Sequence, residues 1–116
     1  LLSGYGCTQN GKADGALRVG ESIVIDSPRS TTNNHIITRG GAAVCFGDSG
    51  GPAFLFLDQQ KQQRVQVSVN SKGNISDTSY LSSLATDAAT SFLKTWSSES
   101  ATRRICGLHS DATGCR

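Results

Sequence analysis

Apolar residues fall in short runs along this chain, separated by polar stretches rich in Gly, Ser, Asn and Asp. Val65, Val67 and Val69 alternate strictly with Gln66, Ser68 and Asn70, which predicts a half-buried β-strand with its valines on the covered face. Leu17 to Asp26, carrying Val19, Ile23, Val24 and Ile25, reads as another strand, and Leu1 to Tyr5 as a shorter one. His35 to Thr38 begins a further strand, Ala53 to Leu57 is a continuous apolar run after Pro52, and Ser79 to Leu84 gives a last short strand. The segments between carry turn chemistry: Asn10-Gly11 and Asp14-Gly15, the loop Ser27 to Asn34, the polar hairpin tip Asp58 to Arg64, and Ser71 to Thr78. From Thr86 the period changes. Ala88, Phe92, Leu93 and Trp96 fall at helical spacing, with Thr86 or Asp87 as N-cap, so one amphipathic helix is predicted to about Ser98. Short strands with one helix predict a small antiparallel barrel or sandwich.

At 116 residues the chain is at most one ordinary domain. A net charge of +2 without a long basic stretch argues against nucleic acid or an anionic membrane surface as partner. The longest apolar run, Ala53 to Leu57, is far too short to span a bilayer. Sixteen Ser, ten Thr and thirteen Gly make about a third of the chain, and together with four Cys they fit an exported all-β protein. Leu1 to Gly6 is strand-like from its first residue, which leads us to expect that the chain begins at a cut or a boundary.

Gly40 to Gly51 holds five glycines in twelve residues and so takes backbone shapes that side chains would forbid. Within it, Gly47-Asp48-Ser49-Gly50-Gly51-Pro52 is the one specific chemical signal. A serine flanked by small residues is open to a substrate, and Gly47 lets backbone N–H groups converge on one point. These six residues resemble the nucleophile motif of the trypsin-like, chymotrypsin-fold serine proteases. The resemblance implies Ser49 as nucleophile and the N–H groups of Gly47 and Ser49 as an oxyanion hole, each donor worth about 3 to 4 kcal/mol in the transition state. It also implies that Asp48 is buried and paired with a cation, in this family the α-amino group released by propeptide cleavage.

The order of the chain agrees. Leu2-Ser3-Gly4-Tyr5-Gly6 resembles the first strand of the family's second barrel and Leu17 to Ile25 the next. Val67-Ser68-Val69 resembles the strand that binds substrate backbone, and the helix ending near Trp96 the C-terminal helix. The implied fold is all-β: a six-stranded antiparallel Greek-key barrel plus one C-terminal helix over residues 1–98, followed by a tail over 99–116. The family's catalytic His and Asp precede this half, so they are expected on an N-terminal half that this chain lacks. His35 and His109 are expected to be surface residues rather than substitutes. The α/β-hydrolase elbow pattern also fits Gly47 to Gly51, with Asp77 or Asp87 and His109 as partners. An elbow serine is followed at once by a helix, however, whereas Ser49 is followed by Gly50, Gly51, Pro52 and a β-type run.

By the same resemblance Ala43 is the floor of the primary specificity pocket, Val44, Asn70 and Thr78 are its walls, and Ser68, Val69 and Asn70 pair with substrate backbone. No acid at the floor implies small or medium uncharged residues on the acyl side; a one-residue slip near Thr78 would bring Asp77 in and favour a basic residue. Four Cys allow three pairings. Cys106 and Cys115 suit a local loop worth about 2 to 3 kcal/mol, leaving Cys7 with Cys45. The family partner of Cys45 has no counterpart between Ser71 and Ser76, while Cys7 borders the same pocket rim. No metal or other cofactor is expected, since the four Cys lack paired C-x-x-C spacing. Asn74-Ile75-Ser76 matches the glycosylation acceptor pattern, and Arg103-Arg104 is a candidate processing point. The expected function is that of a secreted serine endopeptidase's C-terminal portion, acting on peptides or proteins; the alternative is a non-catalytic fragment or pseudo-protease that binds other proteins.

Overall fold

The computed structural model describes residues 1–8, 10–28 and 34–113. Most of the predicted loop Ser27 to Asn34, and Cys115 of the expected Cys106–Cys115 bridge, lie outside the described residues. The chain divides into two compact units, Leu1–Leu84 and Ala85–Arg116.

The first unit is a single curled antiparallel sheet. Its strands are β1 (Leu2–Gly4), β2 (Arg18–Gly20), β3 (Ser22–Asp26), β4 (His35–Gly41), β5 (Pro52–Phe56), β6 (Arg64–Gly73) and β7 (Thr78–Ser83), in the order β2-β1-β5-β6-β7-β4-β3. β5, β6 and β7 follow one another as hairpins, and β4 lies beside β7, a Greek-key arrangement. The two edge strands, β2 and β3, are separated in sequence by Glu21 alone. One chain segment thus supplies both edges, and the sheet must curl to let it do so. Counting the bent Arg18–Asp26 segment once gives the six strands of the expected barrel; the seventh comes from a break at Glu21, whose carbonyl accepts from Ala42 N–H at 2.8 Å.

The interior is small and half polar. Leu2, Ile36, Val44, Ala53 and Leu81 form the apolar core, and Thr38, Ser68, Asn70, Thr78, Ser79 and Ser83 are buried with them. On β6 this reverses the predicted faces: Ser68 and Asn70 point inward, whereas Val65 is exposed and Val67 and Val69 are half-buried. A small, strongly curled sheet leaves little room on its concave side. With Ile36 and Leu81 already there, the fully buried positions of β6 take small or hydrogen-bonding side chains; Val65 lies outside, while Val67, at a register shift between β5 and β6, still packs against the core.

The second unit carries α1, Asp87–Ser98. Thr86 caps it, its Oγ1 accepting from Ala89 N–H at 3.2 Å, as its position before the helical period predicts. Beyond the helix Arg103 folds back, its guanidinium 4.8 Å from the Trp96 ring centroid, donating to the Trp96 carbonyl and pairing with Glu99.

Candidate active site

The loop between β4 and β5 is built around one turn. Asp48 N–H donates to the Cys45 carbonyl at 3.0 Å, and Gly47, third in this four-residue turn, has φ 95°. A turn with positive φ at its third residue is glycine's place. The loop is then tied to the segment after β1. Gly6 N–H donates to Asp48 Oδ1 at 2.7 Å, Cys7 N–H donates to the Phe46 carbonyl at 3.0 Å, and Cys7 is bonded to Cys45 through a disulfide with Cα atoms 5.5 Å apart. Cys45 N–H donates to Asp48 Oδ2 at 2.9 Å. Asp48 is therefore half-buried in a cradle of backbone donors. A Cβ on Gly4 or Gly6 would lie 2.1 or 2.3 Å from its carboxylate group, so both positions must be glycine for the acid to sit there.

Ser49 stands exposed at the loop's end. Its hydroxyl donates to the Ser71 carbonyl at 3.4 Å. Among the described residues, the N–H groups of Gly47 and Ser49 make no hydrogen bond within the protein. One residue on, the backbone is fixed: Gly50 N–H donates to the Asn70 carbonyl at 3.0 Å and Asn70 N–H to the Gly51 carbonyl at 2.8 Å. The serine is thus followed by β5, paired to β6, and not by a helix.

The curled antiparallel sheet agrees with the family comparison. A model of the trypsin family matches residues 1–87, three quarters of the chain. The chain belongs to the trypsin family. Searches of curated proteins and of solved structures return no significant match.

Beside the loop lies a cavity of about 290 Å³. Of the expected pocket residues, Ala43, Val44 and Asn70 line it, while Thr78 does not. Thr78 is buried in the sheet, its Oγ1 donating to Asp77 Oδ1 and accepting from Arg39 Nε. Asp77 is exposed and outside the cavity. Its carboxyl is held below the usual range, first by the Asn74 amide at 2.7 Å and then by Thr78, so the slip that would bring it into the pocket does not occur. Asn74 is itself occupied: its Oδ1 accepts from the N–H groups of Ser76, Asp77 and Thr78 and closes the turn.

The substrate-strand assignment needs correction. Ser68 has no exposed surface and sits mid-sheet between Ala53 and Ser83. Asn70 is 2% exposed, with its Nδ2 donating to the Ser3 carbonyl at 2.9 Å. Neither can offer a free edge to a peptide, and Val69, paired to Pro52 and Ser82, cannot either. The exposed part of β6 next to Ser49 is Ser71–Gly73, three residues further along. The inner faces of β6, inverted relative to the valine alternation, hid this register. The Gly-Tyr-Gly cradle around Asp48 was also missed, although two glycines flanking Tyr5 were visible in the sequence. Of the two histidines, His35 opens β4 in the first unit, edge-on to Tyr80, and in the second unit His109 Nδ1 accepts from Ile105 N–H at 3.1 Å. No helix among the described residues is long and apolar enough to cross a membrane.

Proposed function

We propose that this chain is the C-terminal portion of a secreted trypsin-like serine endopeptidase. Ser49 Oγ is the nucleophile, the N–H groups of Gly47 and Ser49 are the oxyanion donors, and Ala43 and Val44 border the acyl-side pocket. The observation that carries the reading is the exposed Ser49 beside two backbone donors left unpaired by the Gly47 turn. A base takes the Ser49 proton as Oγ attacks the scissile carbonyl, and the charge that develops on the carbonyl oxygen falls to those donors. The scissile C–N bond then breaks, the amine leaving with the proton the base took from Oγ, and the ester so formed at Ser49 is hydrolysed by water, whose proton passes through the same base back to Oγ. The base and its orienting carboxylate come from an N-terminal half outside these residues, since the only hydrogen bond of the Ser49 hydroxyl among the described residues is to Ser71. Ser71–Gly73 is the segment along which substrate backbone would lie. The Cys7–Cys45 disulfide supports export.

A fluorophosphonate probe tests this. Ser49 should be labelled when the N-terminal half is present and not in the chain alone. A second reading, a protein-binding module without catalysis, is favoured by the exposed apolar run Val19, Ile23, Val24 and Ile25. Absence of labelling in the assembled protein, with a partner still bound over that run, would decide for it.

A further inference from the structure

We propose that Arg18 is a positioning residue for the Ser49 loop, an intrachain cation that turns between Asp14, where it rests here, and Asp48, which anchors the loop. The proposal rests on the protease reading and adds a means of regulation to it.

Geometry places the two groups on one face. Arg18 is the direct cross-strand partner of Gly4, and directly opposed residues in an antiparallel pair project to the same side, their Cβ atoms about 5 Å apart. The direction a Cβ on Gly4 would take leads straight to Asp48 Oδ1, 2.1 Å from it. An arginine side chain is long enough to cover that gap. Among the described residues, Arg18 and Asp48 are also the only charged side chains lining the cavity, and they are of opposite sign. Asn70, also in the lining, has a buried Oδ1 without a hydrogen-bond partner among the described residues, a second acceptor for a guanidinium.

In this structure the guanidinium is held elsewhere. Its Nη1 donates to Asp14 Oδ1 at 2.8 Å, and Nη2 pairs with Asp14 Oδ2. No ion pair among the described residues involves Asp48, whose carboxylate is met by backbone donors alone. Both members of the Arg18–Asp14 pair are well exposed, and such pairs contribute little net stability, because water solvates the separated charges nearly as well. Moving Arg18 to Asp48 therefore gives up little. It would place a cation on the carboxylate that fixes Cys45 and Gly6, and through them the turn that presents the Gly47 and Ser49 donors. Asp14 holds that arrangement in check.

The test is the titration of Asp48, followed by carboxylate ¹³C NMR in the intact chain and assigned with Asp48→Asn. Asp14→Asn, an exposed substitution that leaves the fold intact, should lower the Asp48 midpoint, as a newly adjacent guanidinium does. Asp14→Asn/Arg18→Gln should return it to the wild-type value, and Asp14→Asn/Arg18→Lys should keep part of the shift. In the chain completed by an N-terminal half whose propeptide is uncleaved, so that no released α-amino group reaches Asp48, Asp14→Asn should raise the rate of fluorophosphonate labelling several-fold, and the added Arg18→Gln should abolish the gain. An Asp48 midpoint unmoved by Asp14→Asn, or moved equally with Arg18 replaced, overturns the proposal. A wild-type protein that is never labelled overturns the protease reading instead, and the titration still decides the role of Arg18.

Discussion

The backbone N–H of Gly6 donates to the carboxylate of Asp48 across 42 residues of sequence, and the glycine's missing side chain is what lets the two approach. A Cβ at Gly6 would lie 2.3 Å from Asp48 Cγ, so Gly6→Ala should displace the acid and cost about 1 to 3 kcal/mol, as overpacking usually does. Urea unfolding measures this. The loss should be less than additive with Asp48→Ala, because removing the carboxylate removes the collision; full additivity would mean that the contact is not the cause.

The Cys7–Cys45 bridge closes a loop with a sequence separation of 38. By the chain-entropy relation this restricts the unfolded chain by about 4 kcal/mol. Reduction, or Cys7→Ser/Cys45→Ser, should lower the urea midpoint accordingly and raise the denaturant slope, because the unfolded chain is freed to expand. It should also raise the exchange rate of the Cys7 and Asp48 amides, which the bridge holds against Phe46 and Cys45.

Among the described residues, four carboxylates have their titration pulled down, three of them exposed and Asp58 half-buried. Asp14 is brought to about 2, chiefly by its hydrogen bonds from Arg18. Glu21 is lowered by Lys61, Asp58 by backbone N–H donors of which Gln62 is first, and Asp77 by Asn74. Groups that hold protons less tightly when folded stabilise the fold above their ordinary values of 3.8 and 4.5, and that stability is lost as pH falls through the lowered ones. The contribution of these four groups to the urea midpoint should thus be complete above about pH 5 and decline from there towards the titration of Asp14 at about 2. High salt should weaken the parts due to Asp14 and Glu21, which are ion pairs, more than the part due to Asp58. A midpoint that rises on acidification would contradict the assignment.

Much of this architecture was legible in the chain. The helix start at Thr86 follows from a capping residue before an apolar period of 3.6, and the strands from turn residues at their ends. The Gly47 turn and exposed Ser49 follow from six residues whose small size leaves few other shapes. What the sequence hid depends on closure. A local alternation cannot say which face of β6 turns inward once the sheet curls, because the choice is made by the space that Ile36 and Leu81 leave. The match of Gly4 and Gly6 to Asp48 is likewise a contact between distant segments, unseen until β1 and the serine loop are brought together.

Val19, Ile23 and Ile25 are 64%, 70% and 50% exposed, an apolar strip along the β2 and β3 edges that water meets at a cost. The chain alone should therefore self-associate, and Ile23→Lys/Ile25→Lys should reduce this without loss of stability. Sedimentation velocity as a function of concentration distinguishes the two. A wild-type chain that stays monomeric at high concentration would show that the strip is not an unpartnered interface.

Specificity depends on what the pocket lacks. Ala43 lines the cavity beside Val44, and neither brings a carboxylate. Asp77 is spoken for by Asn74 and Thr78 outside it, and Asp48, tied to Gly6 and Cys45, has Arg18 of this chain beside it in the lining as its own counter-charge. A buried Lys or Arg side chain without a counter-charge costs several kcal/mol, enough to disfavour basic residues on the acyl side of the cleaved bond by about a hundredfold or more. A peptide library cleaved by the assembled enzyme should therefore show small or medium uncharged residues at that position. Ala43→Asp should shift the preference towards Arg and Lys, because it supplies the missing charge on the same wall. A wild-type preference for Arg or Lys would mean that an acid reaches the pocket from elsewhere, and it would remove the role given to Ala43.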